Sequence, residues 1–346
     1  MGFLIEINHP GQVHLLRNVI DKLHRSNSNF IIITKNDKSI TDLLNVYKIS
    51  FINIGSKGKG TFGKLFKQFV FTYRAFVIAK KNNLHKGLGS SFTNDLLTIF
   101  IRDFKSIHLS DDDEEMVPFI TKYSYPFASV IVAPDCIRFQ KFKQKVVSYS
   151  GYHELAYLHP NYFTPDPSVL KDLEIKDGEK FFILRFVAFH GHHDVGHIGI
   201  TLHQKRELIN YLNQFGKVFI TSENDIDGEF EKYRISIRPD KIHSVLYYAS
   251  AFIGDSQTMT SEAAITGTPA FKCNTFAGKL AVPSELENKY DLCYSFQPHE
   301  FQNLIIKLKA ILKDPSSKEK WNQKVKNMWK DKIDVSAFIY DYIQNL

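Results

Sequence analysis

Short apolar runs alternate along this chain with longer segments whose apolar residues recur at helical spacing, and this alternation most constrains the fold. FLIEI at 3–7 and NFIIIT at 29–34 are typical of buried strands, with a helix-patterned segment at 13–24 between them. ISFINI, KSIHLS and ASVIVAP continue the series towards position 134. Because strands that alternate with helices form βαβ units, the pattern predicts a parallel sheet.

A proline-rich segment divides this pattern into two halves. HPNYFTPDPSVL at 159–170 contains three prolines and no periodicity, which is typical of a linker. Strand-like runs resume with KFFILRFVA at 180–188, and a chain of 346 residues is long enough for two domains. We therefore predict an α/β protein whose two Rossmann-like domains, residues 1–160 and 171–330, face a central cleft, with a C-terminal helix at 330–346 that can pack back on the first domain.

The composition excludes several classes of protein. The three cysteines lack CxxC spacing, so neither a disulfide framework nor a cysteine zinc site is expected, and a reducing cytoplasm fits. No run approaches the roughly 18 apolar residues of a membrane span, and the first apolar run is too short for a signal peptide. We expect a cytoplasmic protein.

Positive charge is concentrated in one part of the chain. The net charge is +7, and no acidic residue occurs between Asp42 and Asp95, whereas the segment 61–81 interleaves lysines with aromatic residues. Two interpretations remain open: a solvated helix face, or a helix that rests on anionic lipid headgroups at the inner face of the membrane. Nucleic-acid binding is not expected, because no recognition motif accompanies the charge.

FIGDSQTMTSEAAITGTPAF at 252–271 carries the clearest local signal for a ligand. A strand ends at Gly254, Ser256 is a suitable helix N-cap, and Gly267 is a suitable residue to end the helix. The N–H groups and the dipole at the start of a helix favour phosphate. Spacing alone leaves two hypotheses, a phosphate site and an ordinary capped helix.

Several segments together resemble one protein family. They are EINHPGQVHLLRNVI (6–20), GYHELAYLHPNYFTPDPSVL (151–170), FFILRFVAFHGHHDVGH (181–197) and KIHSVLYYASAFIGDSQTMTSEAAITGTPAF (241–271). On these segments the chain resembles the DUF354 family of GT-B-like proteins, which is related to GT-B glycosyltransferases and UDP-N-acetylglucosamine 2-epimerases. The resemblance extends over essentially the whole chain. It implies a GT-B-like fold and a role in bacterial or archaeal surface carbohydrate synthesis.

The resemblance implies a nucleotide site in the second domain. Ser256 and Glu262 match the serine that holds the diphosphate and the glutamate that binds the ribose in the related epimerases. Gln257 and Thr258 replace two glycines there, so their side chains either crowd the diphosphate or donate to it. Arg185, at a strand end, is expected to contact the phosphates.

The N-terminal loop NHPGQVH is expected to hold the acceptor. Many GT-B enzymes carry a histidine general base in this loop, but Gln12 occupies the matching position and cannot act as a base. His9 is therefore the candidate base and His14 the alternative, because a neutral imidazole suits proton transfer near pH 7. Asn8, His14 and Asp113 are expected to contact the acceptor, and the alternative for His14 is packing on a helix face.

Two polar clusters supply further acid–base candidates. In SDDDEEM, Asp111 and Asp112 are expected to be catalytic, with solvated helix-start charges or a divalent metal ion as alternatives. In FHGHHDVGH at 189–197, four histidines on one loop without cysteine are a weak pattern for zinc. The resemblance there is carried by His193 and Asp194, an imidazole–carboxylate pair expected to face a phosphate or a sugar hydroxyl.

These expectations combine into a GT-B glycosyltransferase that transfers a sugar from a nucleotide sugar, with UDP as the expected nucleotide, to a glycan or lipid-linked acceptor. Neither a metal nor another cofactor is expected. A non-hydrolysing UDP-N-acetylglucosamine 2-epimerase is the alternative, with acid–base groups from 111–115 and His193. A third hypothesis is a non-catalytic nucleotide-sugar-binding scaffold, in which Gln12 marks lost chemistry.

Overall fold

A computed structural model describes residues 2–56, 58, 60–186, 199–222 and 226–346. The described chain divides into two compact units. Unit 1 extends to Tyr162 and resumes over Ile333–Leu346, and unit 2 is Phe163–Lys332. Each unit has its own parallel sheet.

Unit 1 is a parallel sheet with helices between its strands. The strands are β1 (Gly2–Ile7), β2 (Phe30–Thr34), β3 (Ile52–Asn53), β4 (Leu84–Gly89), β5 (Lys105–Leu109), β6 (Val130–Pro134) and β7 (Val146–Tyr149). The helices are α1 (Pro10–Arg25), α2 (Lys38–Val46), α3 (Gly60–Lys81), α4 (Phe92–Phe100), α5 (Pro118–Tyr123) and α6 (Leu155–Leu158). The strand order is β3-β2-β1-β4-β5-β6-β7. This order changes direction between β1 and β4, and ligands bind at such switch points in open α/β sheets.

Strand β1 lies inside the sheet of unit 1 and is buried along its whole length. Burial on both faces explains why its apolar run is nearly continuous rather than alternating. Glu6 interrupts the run and has no exposed surface. Its carboxylate accepts from the hydroxyl of Ser91 and from Nδ2 of Asn8, the latter at 2.7 Å, so the buried charge is hydrogen-bonded.

Unit 2 repeats the alternation of strands and helices. The strands are β8 (Phe181–Arg185), β9 (Lys217–Thr221), β10 (Ala251–Gly254), β11 (Ala270–Cys273) and β12 (Cys293–Phe296). The helices are α7 (Ser168–Asp172), α8 (Leu202–Leu212), α9 (Ile242–Tyr248), α10 (Gln257–Thr266), α11 (Ala281–Asn288), α12 (Phe301–Lys313) and α13 (Ser317–Asp331). The strand order is β12-β11-β10-β8-β9, and it changes direction between β8 and β10. A ligand of unit 2 is therefore expected at the carboxyl ends of β8 and β10.

The chain returns to unit 1 through a last helix, α14 (Val335–Asn345), which packs on α1 and α6. The sequence predicts a C-terminal helix at 330–346, and the helix in the structure is shorter. Helix α13 ends at Asp331 and α14 begins at Val335, because Asp334 caps α14 by accepting from the N–H of Ala337 at 2.9 Å.

The apolar runs do not predict strand β4, which has the sequence LHKGLG. Its Lys86 is buried, and the ammonium donates to the carbonyl of Ile343 in α14 at 2.8 Å. A strand with a central lysine can therefore be buried here because a helix from the far end of the chain supplies the acceptor.

Helix α3 has 22 residues and matches the basic helix predicted at 61–81. Phe71, Ala75 and Ala79 on one face pack into the core of unit 1. Within the described ranges, no helix combines the length and the apolar character needed to cross a membrane.

Candidate functional site

The switch point of unit 2 brings the ends of β8 and β10 together. Arg185 ends β8 and pairs in register with Gly254, which ends β10. The N–H of Asp255 donates to the carbonyl of Arg185 at 3.1 Å. A Cβ at Gly254 would lie 2.4 Å from that same carbonyl oxygen, so only glycine fits this close approach. Arg185 therefore lies directly beside the turn that leads into α10.

Helix α10 has the two caps predicted from the sequence. Ser256 is the N-cap, and its side chain accepts from the N–H of Met259 at 3.5 Å. Gly267 ends the helix with φ 90°, a left-handed conformation that favours glycine. The helix thus begins at the switch point with its backbone N–H groups at the carboxyl edge of the sheet, an arrangement that favours an anion.

A buried lysine holds the first residue of α10. Lys272, in β11, has no exposed surface, and its Nζ donates to Oε1 of Gln257 at 2.8 Å. Burial lowers the pKa of Lys272 to about 8, although Cys293 and Glu287 act to raise it. Nε2 of Gln257 is buried and has no hydrogen-bond partner among the described residues. The Gln257 amide is therefore fixed through its oxygen, whereas its nitrogen has no acceptor among the described residues.

Thr258 and Glu262 lie further along α10. The Thr258 side chain is exposed, whereas that of Glu262 is 7% exposed and its Oε1 lies 3.0 Å from Nε2 of His243 in α9. Because a carboxylate has no hydrogen to give, the ring nitrogen is the donor. No local pattern singles out His243, although it lies in one of the segments that carry the family resemblance. The candidate ribose carboxylate is thus oriented by a buried histidine.

In unit 1, the loop after β1 is held by its own side chains. His9 is exposed, and its Nδ1 caps α1 by accepting from the N–H of Gly11 at 3.1 Å. In the neutral ring the hydrogen is then on Nε2, and the basic nitrogen, Nδ1, already accepts from the backbone. Oε1 of Gln12 accepts from the N–H of Asn8 at 2.7 Å, so Gln12 stabilises the loop. His9 would have to give up its cap to accept a proton.

His14 lies inside unit 1 rather than at a loop surface. It is buried on α1, where its Nδ1 lies 3.3 Å from the hydroxyl of Tyr47. Its ring packs against Tyr157 with 5.3 Å between the ring centroids. This environment favours packing on a helix face over contact with an acceptor.

The acidic run after β5 does not act as one cluster. Glu114 is buried, and its Oε2 accepts from the N–H groups of Gln140 and Lys141 at 2.9 and 3.2 Å, which is a structural role. Asp112 is exposed and Asp113 is half-buried. Helix α5 begins at Pro118 and has no acidic residue in its first turn, so the acidic run does not supply charges within the start of that helix.

Asp111 pairs with a histidine that the sequence patterns do not single out. Its Oδ2 lies 3.2 Å from Nδ1 of His153, which follows β7. Burial acts to raise the pKa of Asp111, but the imidazole of His153 outweighs burial and the pKa is lowered. Burial likewise acts to lower the pKa of His153, and the carboxylate of Asp111 reverses this, so that the pKa is raised.

The structure brings the candidate residues together in one group in each unit. In unit 2, Arg185, Ser256 and Gln257 meet at the switch point. In unit 1, His9 is near enough to Asp111 to lower its pKa, beside His153. In the part of the chain that the structure describes, no set of three or more His, Cys, Asp or Glu side chains is arranged to hold a metal ion.

The predicted pair at His193 and Asp194 lies outside the described residues, as does the rest of FHGHHDVGH.

A family model for DUF354, described as a protein of unknown function, matches residues 1–322. This chain belongs to the DUF354 family. The family predicted from the sequence segments is thereby confirmed. No curated protein has a significantly similar sequence.

Solved structures of nucleotide-sugar enzymes have a similar fold. The UDP-GlcNAc 2-epimerase from Neisseria meningitidis, bound to UDP-GlcNAc, aligns with a TM-score of 0.69 and 12% identity over 100% of both chains. A glycosyltransferase from Rickettsia africae ESF-5 aligns with a TM-score of 0.64 and 13% identity over 99% of this chain and 98% of its own. The UDP-GlcNAc 2-epimerase from Methanocaldococcus jannaschii, in complex with UDP-GlcNAc and UDP, has a TM-score of 0.64 and 13% identity over 91% of this chain and 93% of its own. These similarities confirm the predicted α/β, GT-B-like fold with Rossmann-like units.

Proposed function

We propose that this protein is a GT-B-type glycosyltransferase that uses a UDP-sugar in the synthesis of a surface polysaccharide or glycan. The observation that carries the proposal is the switch point of unit 2, where Arg185, the Ser256 cap and the buried pair of Gln257 and Lys272 surround the start of α10. Similar folds bind UDP or UDP-GlcNAc, which supports a nucleotide sugar as the ligand.

Each group at this switch point suits one part of a nucleotide sugar. The guanidinium of Arg185 can neutralise charge on the diphosphate. Hydrogen-bond donors of Ser256, Gln257 and Thr258 can contact the remaining phosphate oxygens. The carboxylate of Glu262, oriented by His243, is the candidate acceptor for ribose hydroxyls. The diphosphate is also the leaving group, so donors that stabilise its developing charge would accelerate transfer.

Binding of UDP, measured by calorimetry, tests whether the protein has the proposed nucleotide site, which both a transferase and an epimerase need. We expect the wild-type protein to bind UDP and Arg185→Met to bind it roughly 10- to 100-fold more weakly, because a hydrogen bond to a charged group contributes about 1.5–3 kcal/mol. Arg206→Met is the matched control, since Arg206 lies on α8 in an exposed ion pair with Glu229. Failure of the wild-type protein to bind UDP or any other nucleoside diphosphate would contradict the proposal.

A 2-epimerase is the second candidate, because two of the structures with a similar fold are UDP-GlcNAc 2-epimerases. The two functions differ in whether an acceptor is needed in addition to the nucleotide sugar. Incubation with UDP-N-acetylglucosamine alone, followed by NMR, would show the 2-epimer if the protein is an epimerase. Release of UDP only after addition of membrane lipid extract would support the transferase.

We propose that the acceptor, a glycan or a lipid-linked saccharide, is handled by unit 1, and that α3 rests on an anionic membrane. Phe62, Phe66, Phe69 and Tyr73 recur at helical spacing and are between 61% and 90% exposed. They form an apolar stripe on the side of α3 opposite its core-facing residues, in a segment rich in lysine and without acidic side chains. This combination suits insertion among anionic headgroups.

Liposome flotation tests the membrane contact. We expect wild-type protein to float with phosphatidylglycerol vesicles and the double variant Phe66→Ser/Phe69→Ser to lose most of that binding, because two large apolar groups no longer enter the interface. Ile306→Ser, at a 64% exposed apolar residue of unit 2, is the control. Equal recovery with neutral phosphatidylcholine vesicles would rule out the electrostatic contribution.

A further inference from the structure

An imidazole–carboxylate pair lies at the carboxyl edge of the sheet in unit 1. Asp111 follows the end of β5, and His153 follows the end of β7. Oδ2 of Asp111 lies 3.2 Å from Nδ1 of His153. The Asp111 side chain is 49% exposed and the His153 side chain 10% exposed, so the pair lies at the boundary between core and solvent.

The partner of Nδ1 decides which nitrogen of His153 can accept a proton. A carboxylate can only accept, so Nδ1 carries the hydrogen of the neutral ring and the lone pair is on Nε2. Nε2 is buried and has no hydrogen-bond partner among the residues that the structure describes. An unsatisfied buried polar atom costs about 1–3 kcal/mol, so a purely structural pair leaves this atom unexplained.

A second polar atom in the same region also lacks a partner. Tyr149, the last residue of β7, is buried, and its hydroxyl makes no hydrogen bond within the described residues. Burial raises the pKa of Tyr149 well above its ordinary value, and the charges of Asp111 and Glu154 raise it further. The phenol therefore stays protonated and can donate. A polyhydroxyl ligand such as a sugar offers both a donor for Nε2 of His153 and an acceptor for this phenol.

His9 is the competing base, and its geometry is less suitable. Its Nδ1 accepts from the N–H of Gly11, which puts the ring hydrogen on Nε2. In His153 the hydrogen bond to Asp111 has the opposite effect and leaves Nε2 as the acceptor. Of these two histidines, His153 is the one whose basic nitrogen does not already accept a hydrogen bond within the described residues, and the Asp111 carboxylate that stabilises its imidazolium form is already in place.

We infer that His153 is the general base that removes the proton of an acceptor hydroxyl, and that Asp111 is its positioning residue. The inference rests on the proposed transferase function. In the transfer step, the acceptor oxygen forms its bond to the anomeric carbon of the donor sugar while its proton passes to Nε2 of His153. The bond between that carbon and the diphosphate oxygen breaks, and its electron pair leaves with UDP.

The test compares His153→Gln and Asp111→Asn with wild-type protein. The initial rate of UDP release is measured from pH 5.5 to about 9 with UDP-N-acetylglucosamine, UDP-glucose or UDP-galactose, in the presence of membrane lipid extract. UDP affinity by calorimetry and the melting temperature are measured for each variant. His85→Gln is the matched control, because His85 is an exposed histidine in β4 of the same unit. If the His153 variant does not fold, Asp111→Asn still tests the pair, because the Asp111 side chain is half-exposed and its replacement should disturb folding less.

We expect His153→Gln to lower kcat by about 10²–10⁴-fold with UDP affinity changed less than about twofold. In Asp111→Asn we expect a lower rate and an acid limb of the pH–rate profile that moves to lower pH. The sign follows because Asp111 raises the pKa of His153, and the other charged groups that face the ring, Glu154 and Asp112, remain. If Asp111 had only a structural role, its replacement would lower the melting temperature without moving the acid limb of the pH–rate profile.

Each contrary outcome identifies what fails. An unchanged rate in His153→Gln, or an unmoved acid limb in Asp111→Asn, overturns the role of the pair and leaves the transferase standing. Wild-type protein that binds UDP without turnover overturns the transferase and, with it, the base. Wild-type protein that does not bind any nucleoside diphosphate overturns the nucleotide site itself.

Discussion

Replacement of Lys272 by methionine should make unit 2 more stable at neutral pH and weaken UDP binding at the proposed nucleotide site. Burial lowers the pKa of Lys272 from its usual 10.5 to about 8. Keeping the side chain protonated in the folded protein therefore costs about 3 kcal/mol at pH 7. Methionine has a similar length and no charge to desolvate, so we expect the free energy of unfolding to rise by up to about that amount.

The pH dependence gives this prediction a definite sign. Below about pH 8 Lys272 is protonated in both the folded and the unfolded protein, so the free-energy cost of burying its charge does not change with pH. Between about pH 8 and 10.5 the folded protein has a neutral Lys272 while the unfolded chain is still protonated, so wild-type stability gains from this group as pH rises. Denaturant unfolding of both proteins should show the advantage of Lys272→Met shrinking across this window.

The same variant should bind UDP more weakly, because the side chain of Gln257 loses the donor that fixes its oxygen. Lys279→Met, at an exposed lysine of unit 2, is the control for both measurements. A constant difference in stability from pH 7 to 10.5 would show that Lys272 keeps an ordinary pKa and is not held as the structure indicates.

Replacement of Glu262 by alanine should lower the free energy of unfolding by about 3 kcal/mol and impair nucleotide binding. The carboxylate accepts from Nε2 of buried His243 at 3.0 Å, and alanine removes this acceptor from a place that water reaches poorly. Glu262→Gln keeps an oxygen at the same position, so we expect it to retain most of the stability. Thermal and denaturant unfolding of the two variants measure the difference.

The glutamine variant also isolates the proposed contact with ribose. Calorimetry with UDP and with inorganic pyrophosphate should show that Glu262→Gln weakens the first and not the second, because pyrophosphate lacks the ribose. Glu319→Ala, at an exposed glutamate of α13, controls for a general loss of negative charge. Equal weakening of both ligands would mean that Glu262 acts on the diphosphate or on the fold of the site and does not contact ribose.

Helix α10 shows which features of a site can be predicted from neighbouring residues. Ser256 and Gly267 were identifiable as caps because each acts within one turn of the helix that it bounds. The sequence left open whether Gln257 crowds a ligand or donates to it. In the structure the side-chain oxygen of Gln257 accepts from Lys272 in the next strand, and no periodicity or cap rule predicts that contact.

The acid–base candidates show where sequence patterns were insufficient. SDDDEEM suggested a cluster, but Glu114 accepts from a distant loop while Asp111 pairs with His153. The position of His9 in the N-terminal loop suggests a base, and only the structure shows that its Nδ1 caps α1 instead. A histidine in a loop is a candidate base by composition, and only its partners decide which nitrogen carries the hydrogen.

The sequence is sufficient to predict the α/β alternation of the two units, the membership of the DUF354 family and the capped start of α10. These follow from apolar periodicity, cap residues and motifs, which act over short stretches of chain. Only the three-dimensional structure shows that Lys272 contacts Gln257, that His243 orients Glu262 and that Asp111 pairs with His153. The partners in each pair are distant in sequence, and most of them meet because parallel strands bring loops from different parts of the chain to the same edge of a sheet.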